Sequence, residues 1–292
     1  MDRDLTATRL LRSSALNTYD PEVEIDWEAP FEPGRYYCPP ERCSLYGTEL
    51  WNGLTEPQRI ELSKHEVASV AGLGIWFETI LMRMLLREYH RQDPRERHAQ
   101  YALTEVGDEC RHSVMFGRMV ARFGCPHYRP EGRDGRLGRF VAATARGPRM
   151  YAATLIAEEV LDTFQREAMA DERVQPLVRM VSRIHVIEES RHVRYAREEL
   201  ARQIAEVTTY DRVIIARTAW LTGHRLIHAD VYRSVGIDPA VGRRAAWANP
   251  NFQATLRWAG ERVVEFLGEL GLIRGPARKL WERSGLLQEL SR

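Results

Sequence analysis

The pentapeptides Asp108-Glu109-Cys110-Arg111-His112 and Glu188-Glu189-Ser190-Arg191-His192 decide how this chain folds. They lie 80 residues apart, and each repeats an acid, a glutamate, an arginine and a histidine in the same order. A third position shares the interval, because Glu78 recurs as Glu158. Both pentapeptides sit in strongly helical sequence. On a helix, residues i and i+3 share a face about 5 Å apart, so Glu109 with His112, and Glu189 with His192, can each hold one ion. A lone glutamate from another helix completes each set. One glutamate from each of two helices and a Glu-x-x-His from each of two others is the ligand plan of carboxylate-bridged dimetal four-helix bundles. A single Glu-x-x-His is ordinarily a solvated surface pair; two copies in register with partner glutamates point to metal.

The rest of the chain fits an all-α fold. Residues 1–50 are rich in Pro, Glu and Tyr and read as a mostly irregular arm. Residues 51–230 carry the dimetal bundle, and helices in 231–292 pack on the same domain. Thr55-Glu-Pro57 starts a short helix, and Ser63-Lys-His-Glu66 has capping-box form for a longer one to about Arg91. Asp93-Pro94 opens the next, which ends near Gly124. Arg129 to Gly138 is turn-rich and reads as a solvated crossover; helices from about Arg149 to Asp171 and Val174 to Glu206 form the second pair. Further helices are expected at about 210–229, 239–248, 250–270 and 277–289.

With 42 basic against 41 acidic residues, the net charge of +1 offers no field to gather nucleic acid or an anionic membrane. The cysteines Cys38, Cys43, Cys110 and Cys125 form no Cys-x-x-Cys pair, and a chain of this length needs no disulfide staples, so a reducing cytoplasm is the expected location. The N-terminus lacks the apolar stretch of a signal peptide. The longest apolar run, Val67 to Phe77, is 11 residues, too short to span a bilayer. Glu78 closes that run, so its carboxylate is expected to be buried.

Four glutamates and neutral histidines match the charge of two divalent iron ions. Mixed carboxylate and imidazole ligation suits iron or manganese rather than the thiolate settings of structural zinc. Asp108, Arg111, Glu188 and Arg191 flank the ligands, where an acid can accept the second N–H of a ligand histidine. His185 breaks the repeat symmetry, since its counterpart is Glu105. It lies four residues before Glu189 and seven before His192, within about 40° of both around the helix, and is read as a further ligand.

The set Glu78, Glu109, His112, Glu158, His185, Glu189 and His192 resembles the non-haem diiron arylamine N-oxygenases, the p-aminobenzoate N-oxygenase family within the ferritin-like superfamily. The resemblance covers about residues 60–230 and selects Glu158 over Glu159, which helical phase leaves open. It implies O2 as co-substrate, a peroxo-diferric intermediate, oxygenation of an aromatic amine nitrogen, an external electron donor or reductase, a homodimer and a role in secondary metabolism. Val70, Leu73, Gly74 and Phe77, before Glu78, are the expected substrate-pocket residues. They supply no cation for a benzoate carboxylate, so a small-molecule amine other than p-aminobenzoate is expected. Gly72 and Gly74 cost about 1 kcal/mol each in a helix relative to Ala, so they are expected to serve a close helix crossing, with room for a ligand as the alternative. The same ligands would serve a diiron carbon hydroxylase or desaturase-type oxidase, or a non-catalytic iron-handling protein.

Overall fold

A computed structural model of the chain describes residues 3–130 and 132–287. The helices are α1 (Arg3–Leu16), α2 (Pro21–Glu24), α3 (Glu49–Asn52), α4 (Glu56–Tyr89), α5 (Arg97–Phe123), α6 (Gly132–Thr144), α7 (Pro148–Ala170), α8 (Pro176–Arg202), α9 (Thr209–Arg225), α10 (Pro239–Ala248), α11 (Pro250–Glu269) and α12 (Pro276–Ser284). The described residues contain no β-strand; one parallel bridge joins Tyr36 to Val174. The fold is all-α, consistent with a ferritin-like bundle. Its centre is four helices: α4 packs on α5, α7 on α8, α5 on α8 and α4 on α7.

Each central helix shows why its sequence belongs there. The buried stripe of α5 runs through Tyr101, Ala102, Glu105, Asp108, Glu109, His112, Met115, Phe116, Met119 and Phe123, at helical three- and four-residue spacing. Its two ends are apolar and its middle is ionisable. From Met150 to Asp162, α7 is buried on all sides, including both Glu158 and Glu159. Helix α4 is long and apolar enough to cross a membrane by length and composition, yet 61% of its most apolar 18-residue window is buried inside the fold.

Several boundaries differ from the sequence reading. A single helix α4 replaces the expected pair, because Thr55 and Gln58 form the capping box, Pro57 sits in the first turn where it is tolerated, and no further Gly or Pro follows until Gly72. The Ser63 and Glu66 side chains are used elsewhere. Ser63 Oγ accepts from the Tyr37 amide, and Glu66 accepts from the Ser44 amide and hydroxyl. Asp93 caps a turn by accepting from the Arg95 amide at 2.9 Å, and α5 begins after Glu96. The crossover is not solvated turn: residues 132–144 form α6, packed on α4. Gly135 and Gly138 lie within this helix and do not break it. Gly138 instead lets the helix approach Trp76, whose ring a Cβ would strike. Within the expected arm, residues 3–16 are helical, with a narrow stripe of Thr6, Ala7, Leu10 and Ser14 set against α5 and α8. Expected residues 288–289 of the last helix, and position 131 of the crossover, lie outside the described residues.

The C-terminal helices brace the bundle rather than extend it. Helices α9 and α11 pack on α7, and α12 packs on α9. All four cysteines are free; Cys38 and Cys43, five apart in sequence, have sulfurs 3.7 Å apart.

Candidate metal centre

All seven expected ligands meet in one buried cluster where α4, α5, α7 and α8 face one another. Ligand atoms come within 4.8 Å of one another in the groups Glu78–His112–His185, Glu158–His185–Glu189, Glu109–His112–Glu189 and Glu105–Glu109–His192. None of these side chains is more than 2% exposed. Helical register accounts for this: each Glu-x-x-His places acid and imidazole on one face, and the two faces oppose across the α5–α8 contact. His112 Nδ1 lies 3.2 Å from Glu109 and 3.9 Å from Glu189; His192 Nδ1 lies 3.0 Å from Glu189 and 3.2 Å from Glu109. The two glutamates therefore stand between the two histidines.

The other ring nitrogens are held across the bundle. His112 Nε2 lies 2.9 Å from Glu188, and His192 Nε2 lies 3.1 Å from Asp108. Each acid orients the histidine of the opposite helix, and this fixes which nitrogen faces the centre. Arg111 pairs with Asp108 and lies 3.7 Å from Glu188, while Arg191 lies 3.4 Å from Asp108 and 3.8 Å from Glu188. Arg191 is 4% exposed and both acids are buried, while the Arg111 side chain is 35% exposed, so the network runs from the interior to the surface. The segment after α1 closes it, since the Tyr19 amide donates to Glu188 and Arg191 donates to the Asn17 carbonyl.

His185 is anchored from behind. Its Nδ1 lies 2.7 Å from Gln165 Oε1, so Nδ1 carries the proton and Nε2 presents a lone pair. That Nε2 has no hydrogen-bond partner and lies 3.8 Å from both Glu78 and Glu189. Gln165 falls seven residues after Glu158 and so shares its face of α7. Phe116 packs on the His185 ring with centroids 4.9 Å apart, and Ser113 donates to Glu78.

In the metal-free cluster the only positive charges facing the carboxyls, among the described residues, are the His112 and His192 imidazoles, too few for the acids gathered there. Burial, then the Glu109 charge, pushes Glu78 up to about 8, and burial does the same to Glu105. Burial followed by Glu189 and Glu109 holds Glu158 well above the usual range. For His112 burial acts downward, but Glu109 and Glu188 prevail and push it up to about 10. Burial and then the His112 charge keep His185 neutral. Oxygens of Glu78, Glu105, Glu109 and Glu189, together with His185 Nε2, are buried without any hydrogen-bond partner. Several uncompensated acids in one core would each cost several kcal/mol if ionised, so an arrangement of oxygen and imidazole donors aimed inward could hold two metal ions.

The structure also separates Glu158 from Glu159. Glu158 groups with His185 and Glu189, whereas Glu159 turns away to receive Arg197 at 2.8 Å and Arg262 at 3.8 Å. Of the expected pocket residues, Val70 lines a cavity with Tyr37, Phe116, Leu161, Phe164 and Gln165, which reaches the groups holding His185. Leu73 and Phe77 line a second, mostly apolar cavity with Trp76, Ala157 and Leu161. Gly74 faces the Leu161 and Phe116 side chains at ordinary contact distance, while Gly72 lies against the Tyr128 carbonyl. Glu105 and Gln165 were not read as site residues from sequence. Glu105 had a signal, as the repeat counterpart of His185; Gln165 had only its helical phase with Glu158.

Residues 1–271 match the family model described as p-aminobenzoate N-oxygenase AurF. Uncharacterized proteins of Mycobacterium tuberculosis and Mycobacterium bovis are 28% identical over 290 residues, spanning 93% of this chain and 84% of each relative.

Proposed function

Because the chain belongs to the p-aminobenzoate N-oxygenase AurF family, we propose that it is an O2-dependent diiron oxygenase acting on the nitrogen of a small arylamine. The observation that carries this reading is the inward-facing cluster of Glu78, Glu109, His112, Glu158, His185, Glu189 and His192, with donor atoms left unpartnered. These seven residues would hold the two ions, with iron as the proposed metal and manganese the alternative. When bound, the ions supply the redox chemistry that activates dioxygen.

The chain's own groups do the rest. Asp108 and Glu188 fix the imidazoles of His192 and His112, and Gln165 fixes His185, so the donors need little rearrangement on loading. The cavity beside Gln165 and Phe116 presents aromatic walls at Tyr37, Phe116, Phe164 and Phe252. Its charged lining groups are already engaged: Arg42 pairs with Glu167 at 2.6 Å and lies over Trp258, and Glu66 is held by Ser44. With no uncommitted cation among those lining residues, the cavity favours a neutral, largely apolar amine over an aminobenzoate. Electrons are proposed to come from a separate donor, and the working form is proposed to be a homodimer in secondary metabolism.

The test is anaerobic loading with Fe(II), addition of O2 with and without an arylamine panel, and measurement of both amine consumption and iron retention. Consumption of a neutral arylamine with iron retained supports the reading. Oxidation followed by iron release, with every amine unchanged, would favour iron handling instead.

A further inference from the structure

The repeat interval pairs Glu105 of α5 with His185 of α8, and the fold brings both to the cluster. Glu105 is 2% exposed, and its Oε2 has no hydrogen-bond partner. One of its oxygens lies within 4.8 Å of ligand atoms of Glu109 and His192. No lysine or arginine pairs with it among the described residues. A carboxyl closed into a core with an unpartnered oxygen, and with only the shared His192 imidazole as opposite charge, requires a proton or a cation. Position 105 thus has the two attributes that mark His185: an unpartnered donor atom, and placement one helical turn before a Glu-x-x-His.

We infer that Glu105 is an eighth ligand of the dimetal centre, closing the coordination of the ion held by Glu109 and His192. This rests on the two-metal reading above. The centre is then unequal in a defined way. One ion draws on two imidazoles, His112 and His185; the other draws on one imidazole, His192, and the additional carboxylate. The oxygen-rich position is the harder of the two and suits the more oxophilic ion. The repeat preserves a ligand at this position in both halves while changing its chemical type, which makes the two ions distinguishable by affinity.

The test is an anaerobic competition titration with Mn(II) and a metal-sensitive chelator, on wild type, Glu105→Gln and Glu105→His, with thermal unfolding followed in parallel. Wild type is expected to take two ions. Glu105→Gln, an isosteric change, should keep one ion at wild-type affinity and weaken the other at least tenfold, with a smaller metal-induced rise in Tm. Glu105→His, which copies position 185, should recover two-ion loading. If Glu105→Gln does not fold, Glu105→Asp replaces it, because it keeps the acid but withdraws it by one methylene. Wild-type affinity for both ions in the Gln or Asp variant overturns the inference while leaving the dimetal reading intact. Failure of the wild type to take two ions overturns both.

Discussion

Asp108 on α5 lies 3.1 Å from Nε2 of His192 on α8, while Glu188 on α8 lies 2.9 Å from Nε2 of His112 on α5. The acid that precedes each ligand glutamate serves the histidine of the other copy, so the two halves of the repeat hold one another's imidazoles in place. Outer partners of this kind are typically worth about 10- to 100-fold in metal affinity. Asp108→Asn and Glu188→Gln are therefore each expected to weaken metal binding by about that factor, and the double variant to lose more than either. A chelator competition titration on the three variants checks this. Unchanged affinity in Asp108→Asn would show that the crossed pairing is not what orients His192.

The metal-free chain should be less stable as the solution becomes more basic. Burial pushes Glu78 and Glu105 up to about 8 in the fold from the ordinary 4.5 of a glutamate. A raised folded pKa contributes stability that is complete below the unfolded value and is lost as pH rises through the folded one. His112, raised from 6.5 to about 10, acts in the same sense. Glu109 is depressed, against burial, by His112 and His192, and stays ionised throughout. Between about pH 6 and about pH 9 the Tm of chelator-treated protein should fall. Metal-loaded protein should show the opposite trend, because ligands must lose protons to bind. Thermal unfolding in parallel buffers decides the matter; a metal-free Tm that rises over this window contradicts the electrostatic picture.

The neighbouring acids on α7 should behave differently. Glu158→Gln removes a charge that groups with His185 and Glu189 and should reduce metal loading. Glu159→Gln removes the partner of Arg197 and Arg262 and should cost about 1–3 kcal/mol of stability while leaving the metal count unchanged. Metal analysis and denaturant unfolding on both variants separate the roles.

The two glycines of α4 also divide. An added methyl at Gly72 would collide with the Tyr128 carbonyl, so Gly72→Ala should lose about 1–3 kcal/mol. At Gly74 the nearest atoms are side-chain carbons of Leu161 and Phe116, 3.9 Å away, so Gly74→Ala should be neutral or gain up to about 1 kcal/mol in helix propensity. Equal effects of the two substitutions would contradict the packing described here.

The seven clustered residues were legible because a helical period and an 80-residue repeat are both visible in one dimension. The choice of Glu158 over Glu159 was not, since a helix buried on all sides has no polar face to show which direction points to the site, although adjacent residues lie about 100° apart; the family resemblance made it, and the Arg197 contact gives its physical basis. The crossed pairing of Asp108 and Glu188 was hidden because sequence places each acid beside its own histidine, and only the α5–α8 packing shows which ring it reaches. Helix α6 was hidden by its glycines, of which Gly138 serves close approach to Trp76 rather than a turn. Helix α1 was lost because its buried stripe is narrow and made partly of Thr and Ser.

The most direct test of the account is a single turnover of the Fe(II)-loaded protein with isotopically labelled dioxygen and a neutral arylamine, with the product read by mass spectrometry. The account predicts an N-oxidised product carrying the label on nitrogen, formed only when the metal site is loaded. Recovery of unchanged amine, or of product labelled at carbon rather than nitrogen, would contradict it.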